Sequence, residues 1–89
     1  MVENNLEFVN KKTTKEREVK AEFVRELGQL LNKYGVEDIK ELKYEDRSTE
    51  TNIEEWVTVI FNDGYSYKQS VAMDSLEAIV RDVMRSLEY

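Results

Sequence analysis

The sequence predicts an α+β domain in the order α-β-β-β-α, a three-stranded antiparallel meander with both helices packed on one face. Three observations predict it. Apolar residues recur at three- and four-residue steps near each end, over 19–34 and 76–87. Between them lie stretches of strand pattern, the strongest being Trp56-Val57-Thr58-Val59-Ile60-Phe61. Finally, Asn62-Asp63-Gly64 separates that run from a second alternating one, as a hairpin turn does. At 89 residues the chain holds one small domain. A chain of this size buries only about 60% of its unfolded surface, which leaves little material for a deep pocket.

Each element follows from its own residues. Residues 1–12 place Leu6, Phe8 and Val9 among polar neighbours and are expected as a flexible arm or edge segment, with residues 13–89 forming the domain. Thr13-Thr14-Lys15-Glu16 reads as a capping box that starts the first helix. Val19, Phe23, Val24, Leu27, Leu30, Leu31 and Tyr34 form its apolar stripe, and Gly35 closes it in the left-handed conformation. Gly28 within the helix costs about 1 kcal/mol relative to Ala; it marks either close packing or a neutral surface position. Ile39 to Glu45 is expected as a strand with Leu42 and Tyr44 on one face, and 46–53 as a polar loop.

The hairpin admits two registers. A two-residue turn over Asp63-Gly64 scatters the apolar residues over both faces. A three-residue loop with Gly64 left-handed gathers Val57, Val59, Phe61, Tyr65, Tyr67 and Val71 on one face, and burial of one coherent face selects it. Trp56 is expected in the core. The last helix opens at Asp74, capped with Glu77 three residues on. It carries the stripe Leu76, Ile79, Val80, Val83, Met84 and Leu87, with Glu77 and Arg81 paired outside.

Composition removes several chemistries. There is no Cys and no His, so no disulfide, thiol nucleophile, imidazole base or thiolate metal site. Adjacent Glu54 and Glu55 point to opposite faces of a strand and cannot share a site, and no glycine-rich phosphate loop is present. The expectation is a protein that is not an enzyme, with no cofactor and no metal. No segment reaches the roughly 20 apolar residues of a membrane span, and Met1-Val2-Glu3-Asn4-Asn5 does not read as a secretory signal. A cytoplasmic location is expected, without membrane contact.

The formal net charge is −6, and residues 37–63 hold the whole imbalance, with nine acids against three bases. Such a field repels phosphate and steers basic partners. The element order is similar to that of the double-stranded-RNA-binding domain, but that family sets a lysine cluster at the start of its second helix. Here Asp74 and Glu77 stand there, so direct nucleic-acid binding is not expected.

A more specific likeness lies in residues 53–84: a strand, Asn62-Asp63-Gly64, Tyr67 three residues after the glycine, a strand, and a helix holding Ile79-Val80. This resembles the small acidic prophage anti-CRISPR proteins that inhibit Cas9 of type II-A systems. The chain departs from that family in a longer leading helix and in Tyr67 to Ala72, which carries no acid where the family is acid-rich. The resemblance implies an inhibitor that mimics DNA phosphates and competes for the basic channel of a nucleic-acid-handling protein, Cas9 in that family. Asn62, Asp63 and Gly64 match as a hairpin tip that meets the partner. Charge density alone adds Glu45, Asp46, Glu50, Glu54 and Glu55. The alternative is a small phage or mobile-element interaction module, monomeric or homodimeric, that binds an unrelated host factor. Ile60 on the otherwise polar sheet face is its sequence sign for dimerisation.

Overall fold

A computed structural model describes the backbone from Val2 to Leu87 and side-chain surroundings from Lys15 to Leu87. Helix α1 (Val2–Lys33) leads through one 3-10 turn (Val36–Asp38) into strands β1 (Ile39–Asp46), β2 (Glu55–Phe61) and β3 (Ser66–Ser70), then helix α2 (Leu76–Leu87). The sheet order is β1-β2-β3, and both pairings are antiparallel. Val24 and Leu31 of α1 and Ile79 and Val83 of α2 join Ile39, Leu42, Val57, Val59 and Val71 in one core, so both helices cover the same sheet face. The α+β meander follows the pattern. No helix among the described residues is long and apolar enough to cross a membrane.

The helix start differs from the sequence reading. α1 is continuous from Val2 through Thr13–Glu16, so the capping motif lies inside it. No Gly or Pro occurs before Gly28, and a capping box starts a helix only where the preceding backbone leaves the helical region. The side chains of Leu6, Phe8, Val9 and Thr13 lie outside the described ones. Along α1 only a centre line faces the sheet. Val19 and Leu30, which flank it, are 46% and 52% exposed, and Tyr34, just past the end of the helix, is 69% exposed.

Gly28 settles into close packing. A Cβ there would lie 2.6 Å from the Leu42 backbone nitrogen and 3.1 Å from Leu42 Cβ. The glycine lets α1 rest on β1 almost backbone to backbone, and its helix-propensity cost is offset by that contact.

The hairpin takes the three-residue register. Val59 pairs with Tyr67, the Phe61 N–H donates to the Tyr65 carbonyl (2.8 Å), and Gly64 sits at φ 93°. Leu42–Val59–Tyr67 and Tyr44–Val57–Gln69 form inner rows, while Glu45–Trp56–Ser70, Lys43–Thr58–Lys68 and Glu41–Ile60–Ser66 form outer rows. Trp56 is therefore not in the core. Strand parity sets it opposite Val57, half-buried on the face that neither helix covers.

The start of α2 also shifts by one residue. Ser75, not Asp74, caps it, its Oγ accepting the Ala78 N–H at 3.2 Å. Arg81 lies 3.3 Å from Asp82 rather than pairing with Glu77.

Candidate functional site

The two ends of the sheet treat their carboxylates differently. At the hairpin end, Gly35 (φ 67°) closes α1 and the chain reverses through Val36, Glu37 and Asp38. Glu37 (φ 48°) and Asp38 (φ 58°) are also left-handed, a conformation that costs a non-glycine residue about 1–2 kcal/mol. Neighbouring hydrogen bonds hold them there. The Asn62 N–H donates to the Asp38 carbonyl (2.9 Å), and the Asn32 amide donates to the Ile39 carbonyl (3.1 Å). The turn is thereby fastened to the hairpin tip, where Asp63 Oδ1 accepts the Tyr65 N–H at 2.9 Å. Glu37, Asp38 and Asp63 are all exposed, and none has an ion-pair partner among the described residues.

At the other end, the bases of α1 meet the acids of the sheet. Glu55 is 6% exposed on the inner face. Its carboxylate accepts Lys20 Nζ at 2.7 Å, the Tyr44 hydroxyl, and the Met73 N–H at 2.7 Å. Burial pushes this carboxyl up, but the hydrogen bonds from Lys20, Tyr44 and Met73 outweigh it and hold it below the ordinary range. Burial and the Glu55 charge push the Tyr44 phenol far up. Asp46 lies 2.7 Å from Arg17 and accepts the Ser48 N–H at 2.8 Å. Burial raises it, while Ser48 and Arg17 bring it below its usual value.

Between these acids and the start of α2 runs a groove of about 1260 Å³, rimmed by the exposed apolar side chains Val19, Ile53 and Met73. Asp74 faces it with a buried Oδ2 that meets no hydrogen-bond donor among the described residues. Burial, then the neighbouring Asp82 carboxylate, push Asp74 up to about 6.

The sequence-nominated residues therefore divide. Asn62, Asp63 and Gly64 form the exposed hairpin tip. Glu45 lies on the outer face, paired with Arg47 and 3.7 Å from Lys68. Asp46 and Glu55 are inner-face residues neutralised by α1. Glu50 and Glu54 lie in the loop at that same end, with no ion pair among the described residues. Strand rise puts the two ends about 20 Å apart, so the eight do not make one surface.

The structure adds Glu37 and Asp38 to Asp63. The signal for them is two consecutive acids one residue beyond a helix-closing glycine, in Gly35-Val36-Glu37-Asp38. The signal for the neutralised pair was Arg17 and Lys20, one turn apart on α1. Among the described residues no three metal-ligating side chains come together. Comparison with family models, curated proteins and solved structures finds no match to this chain.

Proposed function

We propose that this protein is a small non-enzymatic inhibitor that binds a basic, nucleic-acid-handling protein through its hairpin end, where its carboxylates stand in for nucleic-acid phosphates. One observation carries the reading. Glu37, Asp38 and Asp63 lie exposed around one cavity and form no ion pair among the described residues, whereas Asp46, Glu45 and Glu55 are matched by the chain's own bases. Phosphate mimicry needs carboxylates that a partner's Arg and Lys can reach, so the contact surface is centred on Asn62-Asp63-Gly64 and the adjoining turn. The hairpin resemblance points to Cas9 as the first partner to try.

The test is a gel-shift competition with Cas9 and, separately, with an unrelated basic DNA-binding protein. The chain should displace DNA, and displacement should weaken steeply as salt rises. Combined Glu37→Gln, Asp38→Asn and Asp63→Asn should remove it. Unchanged displacement by that variant would exclude the hairpin end as the contact surface. Charge reversal at Glu55 is not a usable test, because the side chain is buried and its loss disturbs the fold.

A second reading rests on Trp56. A half-buried Trp on the same uncovered sheet face as Ile60 is suited to an unrelated host factor or a second copy of the chain. Light scattering on the wild type and on Trp56→Ala separates it. A dimer that the variant dissolves favours it.

A further inference from the structure

Resting on the reading just given, we propose that the hairpin end recognises its partner through one arginine side chain, received in an aromatic basin with an acidic rim. The basin has a volume of about 710 Å³ and lies between the hairpin and the end of α2. Phe61, Tyr65 and Tyr67 supply its aromatic lining, and Glu37, Asp38 and Asp63 its carboxylates; among the described residues no Lys or Arg lines it. The rings form a continuous group, with centroids 5.7, 5.9 and 6.5 Å apart and planes tilted by only 31–45°.

The group is held in place before any partner arrives. The Ser86 hydroxyl donates to the Val83 carbonyl at 2.6 Å, so the Tyr67 hydroxyl donates to Ser86 Oγ at 2.7 Å. Its ring is fixed and its polar end is already satisfied. Tyr65 stands beside it with 63% of its surface exposed, a large aromatic left in water next to a packed one.

The chemistry selects the occupant. The negative faces of aromatic rings attract cations, and three carboxylates at the rim add to that attraction. The same carboxylates repel phosphate, so a nucleic-acid base stacked on these rings is disfavoured by its own backbone. Between the two cationic side chains, the guanidinium fits better. It is planar, more weakly hydrated than an ammonium, stacks on aromatic faces and forks onto a carboxylate. The carboxylates draw the partner in, and the rings distinguish arginine from lysine.

The experiment is an NMR titration of the full chain at low salt with the peptide Gly-Arg-Gly-Arg-Gly, and in parallel with Gly-Lys-Gly-Lys-Gly. The arginine peptide should shift the ring signals of Phe61, Tyr65 and Tyr67 and the Asp63 amide, and should bind about two- to fivefold more tightly than the lysine peptide. Tyr65→Leu should remove that preference and Tyr65→Phe should keep it. Equal binding of both peptides, unaffected by Tyr65→Leu, would overturn the arginine basin while leaving the acidic contact surface standing. An absence of shifts at the hairpin end, together with undiminished DNA displacement by the Glu37/Asp38/Asp63 neutralised variant, would overturn both.

Discussion

The two ends of the sheet carry the same kind of residue and use it in opposite ways. At the loop end, Asp46 and Glu55 are met by Arg17 and Lys20 at 2.7 Å and become part of the structure. At the hairpin end, Glu37, Asp38 and Asp63 meet no base among the described residues and stay open to solvent. The difference is set by α1, whose Arg17 and Lys20 reach the carboxylates at the loop end, while Lys33 in its last turn lies over the Tyr34 ring and pairs with no carboxylate among the described residues. Local density of acids in a sequence thus says little about which of them a partner can reach. What the helix across the sheet brings opposite them decides that.

Breaking the internal pair should give the largest effect. Lys20→Met leaves the Glu55 carboxylate buried without its cation, and such a loss costs about 3–5 kcal/mol. Urea denaturation should show a midpoint lowered accordingly, and a shift under about 1 kcal/mol would mean that Glu55 is satisfied by Tyr44 and Met73 alone.

Gly28→Ala comes next. The added Cβ meets the Leu42 backbone at 2.6 Å, a contact that backbone cannot relieve by rotating a side chain. Overpacking of this kind costs about 1–3 kcal/mol, against a helix-propensity gain of about 1. A net destabilisation in the same assay is expected; a stabilised variant would show that α1 can lift off β1 freely.

A smaller effect concerns acidity. Asp74, whose carboxyl is raised to about 6 from its usual 3.8, binds its proton more tightly in the folded chain than in the unfolded one. Its contribution to stability is complete below about 3.8 and is lost as pH rises through about 6. Glu55 and Asp46 are lowered and act the other way, contributing above their unfolded values and losing that contribution as pH falls. Thermal melts of Asp74→Asn across about pH 2 to 7 should lose the decline that Asp74 imposes between about 4 and 6, and retain the acid-side loss due to Glu55 and Asp46, which falls below about 4.5. A curve parallel to wild type would remove Asp74 from the account.

The least effect on stability belongs to the hairpin end. Glu37→Gln, Asp38→Asn and Asp63→Asn each act on exposed side chains, and Asn preserves both the left-handed backbone at Asp38 and the acceptor for the Tyr65 N–H. Denaturation midpoints should move by no more than about 0.5 kcal/mol for each, while DNA displacement is lost.

Much of the fold was legible in the residues. Asn62-Asp63-Gly64 with the parity of Val57, Val59 and Tyr67 fixed the register, and the spacing of Ile79 and Val83 fixed the buried side of α2. The start of α1 was not, because a capping box describes a local option that a continuing helix leaves unused. Trp56 reads as core from its place in the strongest strand run, but its parity opposite Val57 sends it to the other face. The site was legible only at its tip. Glu37 and Asp38 needed the fastening of their turn to Asn62 before they joined Asp63, and the neutralisation of Glu55 by Lys20 spans 35 positions of sequence.

The absence of a side chain at residue 28 has a consequence beyond its own contact. Lys20 lies eight residues, or just over two turns, before it along the same rod. The clearance at Gly28 therefore sets the height at which the rod carries its lysine and arginine above the far edge. A bulkier residue there would act as a wedge under one point of a lever, tilting those cations away from Asp46 and Glu55 and adding these two anions to Glu50 and Glu54, unpaired among the described residues at the same end.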